Sequence, residues 1–253
     1  MKKYFNLMFL AAIVIMFISC EKSETDNSSD NVTAQKGFAI GKVVDAQGKP
    51  IQGAKIFLDH AIAYASYLHG TTDEKGIYKI SVQEGVWAAF GTVKKEYHGK
   101  TYEMELQPSH ANSFGTEGTV CNFTWLLEGK YRDREKEFLG CRVAVDPAYD
   151  FYEGFKDVVL TFTPDGPLID GSQGRTITVS YGDPKWQDYF NIEDIPLGRY
   201  KVTGILKSPS GNIPLKIQDK MKDDGPFVSE LQLDFYPDGG YHGRNSASIA
   251  IGN

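Results

Sequence analysis

Cysteine and histidine are scarce in this sequence, which has three cysteines and five histidines among 253 residues. So few thiols cannot form the closed four-ligand site of structural zinc. No His-Glu-x-x-His motif occurs, and no histidine is followed three residues later by a carboxylate, a spacing used by zinc peptidases. The residues at those positions are Ala63, Thr72, Thr101, Ser113 and Asn245. The sequence therefore predicts no catalytic metal.

Other catalytic signatures are missing as well. A nucleophilic serine needs a strained turn of the type G-x-S-x-G, and the segment around Ser172 lacks that spacing. The acidic cluster of Asp219, Asp223 and Asp224 lacks the spacing of an EF-hand calcium loop, and it is interpreted as a solvated turn. We therefore predict that the protein is not an enzyme and has no cofactor.

Basic residues are too few for a nucleic-acid-binding protein. The chain has 27 lysines and arginines against 33 acidic residues, and its net charge is −6. No segment is basic enough to neutralise a row of phosphates. A nucleic-acid partner is therefore not expected.

Long apolar runs are missing apart from one near the start of the sequence. Residues 7–18 contain no polar side chain and follow Lys2 and Lys3. A transmembrane helix needs roughly 20 apolar residues. The shorter run is typical of a signal peptide, and the remaining sequence contains no segment apolar enough to span a bilayer.

The end of this run resembles the bacterial lipobox, in which an apolar and a small residue precede cysteine. Here the sequence of residues 17–20 is FISC. The resemblance implies that residues 1–19 are a lipoprotein signal peptide and that Cys20 receives the lipid. It also implies that the membrane is a partner through this anchor, because several acyl chains give stable attachment.

The segment after the predicted lipidation site is polar. Residues 20–36 contain no aromatic side chain, so we predict a flexible tether after the lipidated Cys20. Residues 21–24 (EKSE) resemble short lysine and acidic signals that send lipoproteins of the Bacteroidetes to the outer face of the outer membrane. The expected location is therefore the surface of the outer membrane, and a periplasm-facing anchor is the alternative.

Two cysteines remain after lipidation, Cys121 and Cys141. An exported compartment permits disulfides, and the count is even. The sequence favours a bond between them, and two separate buried thiols are the alternative.

The remaining sequence is typical of an all-β protein, with short alternating segments separated by turns that contain glycine, proline and aspartate. A set of turn and strand residues occurs in its first part: Gly41, Val43, Asp45, Gly48, Pro50, Ile51, Gly53, Ala54, Thr72, Asp73, Gly76, Tyr78, Gly85 and Trp87. With these residues, the segment 37–107 resembles the carboxypeptidase regulatory-like domain. The resemblance implies a transthyretin-like sandwich of the immunoglobulin-like type, which is non-catalytic in that family.

The second half repeats part of this pattern. Trp87 precedes Gly91 by four residues, and Tyr200 precedes Gly204 by the same interval. We therefore predict two sandwich domains in tandem, over residues 37–128 and 154–253, joined by a connection at residues 129–153. Residues 118–125 and 166–172 extend the resemblance to an uncharacterised lipoprotein family of the Bacteroidetes, which implies no activity.

Two groups of residues are candidates for ligand binding. Asp170 and Ser172 lie in a glycine-rich loop that either binds a ligand or connects two strands. Tyr181, Trp186 and Tyr189 stack on sugar faces if their rings are exposed, and form core if they are buried. The core interpretation is favoured for these three and for Phe114, Trp125, Tyr149, Phe151 and Tyr152.

The sequence alone leaves two functions open. The first is a non-catalytic envelope or cell-surface accessory protein that binds a protein partner through sandwich faces and edge strands. The alternative is a glycan-binding module of a polysaccharide-capture system, with Tyr181, Trp186 and Tyr189 as its contacts.

Overall fold

The computed structural model describes residues 32–222 and 225–253. Cys20, the predicted signal peptide and most of the predicted tether lie outside the described residues, as do Asp223 and Asp224. Strands dominate the described ranges, and the helical structure there is one 3-10 turn at Gly240–His242. No helix in these ranges is long and apolar enough to cross a membrane. The prediction of an all-β fold is confirmed.

The first sandwich has two sheets. One has the strand order β4-β1-β9-β7, with β8 also paired to β1, and the other has the order β3-β2-β5-β6. The strands are β1 (Phe38–Asp45), β2 (Lys55–His60), β3 (Tyr67–Thr71), β4 (Ile77–Ser81), β5 (Trp87–Tyr97), β6 (Lys100–Glu105), β7 (Gln107–Pro108), β8 (Thr119–Val120) and β9 (Phe123–Trp125).

The second sandwich is built from nine strands in the order β12-β11-β14-β15-β18-β10-β13, with β16 paired to β14 and β17 paired to β18. The strands are β10 (Cys141–Pro147), β11 (Val158–Pro164), β12 (Ile177–Ser180), β13 (Asn191–Ile195), β14 (Tyr200–Leu206), β15 (Ile213–Asp219), β16 (Leu231–Leu233), β17 (Tyr236–Asp238) and β18 (Arg244–Gly252).

The two sandwiches share one strand topology. In each, the first strand pairs in parallel with the last, since β1 runs parallel to β8 and β9 and β10 runs parallel to β18. In each, the chain also crosses from one sheet to the other after the central strand. The start of β15 pairs with β14 and its end pairs with β18, while β6 pairs with β5 and the following β7 pairs with β9. The second half therefore repeats the first.

Trp87 and Tyr200 occupy equivalent positions in this repeat. Each begins a central strand and is buried. Four residues further on, Gly91 pairs with Ile56 and Gly204 pairs with Leu160. A Cβ atom on either glycine would come within 3.0 Å of the paired side chain. A larger residue at either position would force the side chain of the neighbouring strand to shift.

The predicted connection at residues 129–153 contains a strand. β10 lies inside this range and pairs with both β13 and β18, so it is the first strand of the second sandwich. The side chains of β10 alternate between buried and exposed only at its start, and residues Val143 to Val145 are all buried. The range is therefore not only a connection, and the second sandwich begins before residue 154.

The two sandwiches pack against each other through the β5–β6 hairpin, and residues 32–253 form one compact unit. The Tyr97 hydroxyl donates to the Pro167 carbonyl at 2.8 Å, and the Tyr102 hydroxyl donates to the Phe235 carbonyl at 2.7 Å. Burial raises the pKa of both phenols, so they stay neutral donors.

The predicted disulfide is wrong. Cys121 and Cys141 are both free and buried. Cys121 lies between β8 and β9 in the first sandwich, whereas Cys141 begins β10 in the second and pairs with Ile195. Burial raises the pKa of both thiols, and each is fixed in the core of its own sandwich.

Candidate functional site

The predicted ligand loop has its polar groups bonded to each other. The Asp170 carboxylate accepts hydrogen bonds from the Ser172 amide at 2.9 Å and from the Ser172 hydroxyl at 2.6 Å. The flanking Leu168 and Ile169 are buried, and Pro167 contacts the first sandwich. These bonds account for the loop as a structural connection between strands. A ligand role for Asp170 and Ser172 stays a prediction.

The predicted aromatic group divides between core and surface. Trp186 is 0% exposed and packs against Phe155 and Tyr181, with ring centroids 5.6 and 6.0 Å away. It therefore cannot stack on a ligand. Tyr181 is half-buried, and the ring of Tyr189 is exposed beside Phe155 at 4.8 Å.

Two of the other aromatic residues also differ from expectation. Tyr149 is 97% exposed and Tyr152 is 83% exposed, although the sequence favoured core positions for both. They lie in the turn after β10, where no second layer covers them. The remaining three, Phe114, Trp125 and Phe151, are buried.

A concave surface lies where the two sandwiches meet, and we call it the junction cleft. Its volume is about 530 Å³. Strands β2, β5 and β6 of the first sandwich form one side, and β13 and the start of β18 form the other. The residues between β9 and β10 close it. Its lining includes Phe57, Thr92, Glu103, Glu105, Arg142, Glu193, Arg244 and Asn245.

A groove of about 210 Å³ continues the cleft along the outer face of β2 and β5, and it shares Phe57, Thr92 and Glu105 with the cleft. Phe57 and Phe90 are directly opposite each other on these strands, with ring centroids 5.5 Å apart. They point outward because their neighbours in both strands point into the core, and side chains alternate along a strand.

Further groups extend this pair into what we call the aromatic row: Tyr67, Phe57, Phe90, Arg134 and Tyr131. Tyr67 meets Phe57 edge to face at 6.1 Å. The Arg134 guanidinium lies 5.5 Å from the centre of Phe90 and 3.9 Å from that of Tyr131. Burial raises the pKa of Tyr131 to about 12, so its phenol remains neutral. Such cation–π contacts hold the guanidinium in place.

Paired charges surround the aromatic row and the cleft. Arg134 binds Glu105 at 3.1 Å and Glu137 at 2.6 Å. Arg142 on β10 binds Glu193 on the neighbouring strand β13 at 2.8 Å. The site therefore offers both carboxylate acceptors and guanidinium donors, already fixed in position, to a polar ligand.

The segment that closes the cleft, residues 129–140, is called the junction arm. The Asp194 carboxylate accepts from the amides of Gly129 at 2.7 Å and Gly140 at 3.3 Å, and binds Lys185 at 2.8 Å. The Gln107 amide donates to the Lys130 carbonyl at 2.9 Å. The arm is thus fastened to both sandwiches.

Sequence reasoning missed the aromatic row. The signal was available at Phe57, since the run Ile56-Phe57-Leu58 places an apolar ring at an outward position of an otherwise alternating strand. Phe90 ends a similar apolar run. Arg134 and Tyr131 gave no such signal, because only the fold brings the junction arm to this face.

Within the described residues no group of three or more histidine, cysteine or acidic side chains could hold a metal ion. The buried acceptor Asn245 Oδ1 has no hydrogen-bond partner, while its amide nitrogen donates to the Glu103 carbonyl at 2.7 Å.

Comparison with known proteins gives little further information. No family model and no curated protein matches the chain. Among solved structures, the TIE protein of Bacillus anthracis is 8% identical with a TM-score of 0.28, over 85% of this chain and 43% of that one. The chain therefore spans less than half of that protein's length.

Two other similar structures are an adhesin candidate and a pilin. A candidate adhesin of Bacteroides thetaiotaomicron is 10% identical with a TM-score of 0.26, over 72% of this chain and 82% of that one. A streptococcal ancillary pilin is 10% identical with a TM-score of 0.23, over 86% and 63%. At such scores these likenesses support no conclusion about function.

Proposed function

We propose that this protein is a non-catalytic accessory protein of the bacterial envelope, held in the outer membrane by lipid on Cys20, and that its junction cleft binds a glycan. The observation that supports the glycan is the aromatic row, which continues a cleft walled by fixed charged groups. The lipobox supports the anchor.

The chemistry of the site matches a sugar chain. A sugar ring has an apolar C–H face, which suits aromatic side chains, and a rim of hydroxyls, which suits carboxylates and guanidinium groups. The cleft volume of about 530 Å³ lies within the roughly 300–1,000 Å³ typical of small-molecule sites. Stable protein–protein interfaces are instead extended surfaces, which bury about 800 Å² on each partner.

The balance of charge in the site favours an uncharged ligand. Each of the guanidinium groups of Arg134 and Arg142 is already bonded to a glutamate. A charged ligand that binds Arg134 or Arg142 ionically would have to displace a glutamate from these pairs. A neutral glycan can bond to the carboxylate oxygens and N–H groups that the pairs leave free.

Tyr67→Ala is expected to weaken glycan binding about tenfold, which corresponds to about 1.4 kcal/mol, because it removes the exposed end of the aromatic row. Tyr67 lines the groove and is 47% exposed, so the substitution leaves the core intact. A glycan array identifies ligands, and calorimetry with the best of them gives the affinities of the parent and the variant.

Tyr152→Ala is the matched control, since it removes an exposed tyrosine outside the groove. It should leave the affinity unchanged, and both variants should keep the melting temperature of the parent. Equal affinities for the parent and Tyr67→Ala would contradict a role for the aromatic row.

Cys20→Ala is expected to abolish lipid attachment, because the acceptor thiol is lost. Labelling of cells with a fatty-acid analogue should show incorporation into the parent protein and none into the variant. The buried Cys121 provides the control, since Cys121→Ala should remain labelled. Label on the Cys20→Ala variant would contradict the anchor.

A protein partner is the second candidate, favoured by exposed rings at the end of the second sandwich. Tyr149 and Tyr152 follow β10, and the exposed rings of Tyr189 and Phe190 lie 5.0 Å apart before β13. Exposed aromatic clusters are common anchors of protein interfaces. A photo-crosslinker at position 152, with position 67 as control, would capture such a partner in intact cells.

A further inference from the structure

The loop between β2 and β3 presents apolar side chains to solvent. It comprises residues 61–66 (AIAYAS) and contains no charged group. Ile62 is 82% exposed and Tyr64 is 99% exposed, although both carry large apolar surfaces. An exposed apolar segment of this kind marks a surface that another phase or molecule covers.

The loop is held in shape by hydrogen bonds. The His60 ring nitrogen Nδ1 accepts from the amides of Ile62 at 3.2 Å and Ala63 at 2.9 Å. The Ala61 amide donates to the Val86 carbonyl at 2.8 Å. Ala65 keeps a φ of 53°, a left-handed conformation that alanine rarely adopts. The side chains of Ile62 and Tyr64 are thus displayed on a fixed backbone.

The amino-terminal end of the described chain lies at this same end of the first sandwich. Val86 precedes Trp87, whose amide donates to the Phe114 carbonyl at 2.9 Å. Two residues after Phe114, the Thr116 carbonyl accepts from the Gly37 amide at 2.9 Å. The chain that leads back towards Cys20 therefore departs beside the apolar loop.

The remaining length of chain limits how far this end can stand from a membrane. Val32 is twelve residues after Cys20, and twelve residues span at most about 40 Å when fully extended. An anchor on Cys20 would therefore keep Val32 within about 40 Å of the bilayer surface, so the apolar loop can reach it.

We propose that the loop at residues 61–66 inserts Ile62 and Tyr64 into the interfacial layer of the bilayer and so orients the anchored protein. This inference rests on the proposed lipid anchor. Tyrosine is favoured at membrane interfaces because its ring is apolar and its hydroxyl is polar. The charged residues at this end include Lys36, Asp59, Glu84 and Glu117, which are mostly acidic, so insertion relies on apolar contact and not on anionic lipid.

Such an orientation points the second sandwich away from the membrane. β10 runs from Cys141, which lines the junction cleft, to Pro147, so the turn with Tyr149 and Tyr152 lies at the far end of the second sandwich. β1 runs from Phe38, beside the chain's entry, to Asp45, whose partner Trp125 precedes the junction arm. The apolar loop and these tyrosines thus mark opposite ends of the tandem.

The test uses the full lipidated chain with Tyr64→Cys or, as the matched control, Tyr152→Cys. A maleimide fluorophore sensitive to polarity labels the new thiol, because Cys121 and Cys141 are buried and the anchor blocks Cys20. The proteins are then bound to phosphatidylcholine vesicles and separated by flotation. At position 64 we expect a blue-shifted emission that spin-labelled lipid quenches, and at position 152 an emission as in water.

The outcomes separate the inference from the anchor. A water-like emission at position 64 on protein that floats with the vesicles would overturn the inference and leave the anchor intact. A blue shift of the same size at position 64 without vesicles would show that the loop is covered by something other than the bilayer, and would also overturn the inference. Protein that does not float would overturn the anchor and the inference together.

Discussion

Trp87→Ala is expected to lower the free energy of unfolding of the first sandwich by about 3–5 kcal/mol. The Trp87 ring is buried, its Nε1 donates to the Gln83 carbonyl at 3.0 Å, and its edge packs against His60 at 4.7 Å. Burial of such a ring removes roughly 150–250 Å² from water. The total free energy of unfolding of a domain is only about 5–15 kcal/mol, so this loss is a large share of it.

Urea unfolding followed by circular dichroism measures this loss. Trp87→Phe is the control, since it keeps most of the apolar ring and should lose less. Because Tyr200 is the equivalent residue, with its hydroxyl bonded to the Pro196 carbonyl at 2.8 Å, Tyr200→Ala should destabilise the second sandwich to a similar extent. A Trp87→Ala variant as stable as the parent would contradict the packing described for the repeat.

Asp194→Ala is expected to lower the free energy of unfolding by about 2–3 kcal/mol and to loosen the junction arm. The substitution removes the acceptor for the amides of Gly129 and Gly140 and the partner of Lys185. A hydrogen bond to a charged group contributes about 1.5–3 kcal/mol to stability. The ion pair with Lys185 adds less, because Lys185 is partly exposed and solvent screens the pair. Hydrogen exchange of residues 129–140 should become faster, while exchange in β1 stays unchanged.

Asp194→Asn provides the matched control. Asp194 has a φ of 63°, and asparagine tolerates this left-handed conformation. Its amide oxygen can still accept from Gly129, so only the charge opposite Lys185 is lost. Its effect should lie between those of the parent and Asp194→Ala. Unchanged exchange of residues 129–140 in Asp194→Ala would mean that other contacts hold the arm.

The strands of the first sandwich and the repeat were predictable because their signals are local. Alternation and glycine turns specify a strand within a few residues, and the interval from Trp87 to Gly91 recurs from Tyr200 to Gly204. β10 was missed because it follows a charged segment and ends in Pro147, and because its parallel partner β18 is about a hundred residues further along the chain.

The candidate site could not be predicted because its parts come together only in the folded chain. The aromatic row combines β2, β3 and β5 with the junction arm, and the cleft combines both sandwiches. The burial of Trp186 and the exposure of Tyr152 likewise depend on which loops cover them. The amino-acid composition does not distinguish a buried ring from an exposed one. The separate positions of Cys121 and Cys141 also follow from the fold and not from their count.

The central claim is that the junction cleft and its aromatic row bind a glycan without changing it. Hydrogen exchange of the full chain, with and without the glycan that binds best on an array, tests this most directly. We predict slower exchange in β2, β5 and residues 129–140, with the glycan recovered intact. Slower exchange confined to residues 148–155 and 181–190, or no glycan-dependent change in any segment, would contradict it.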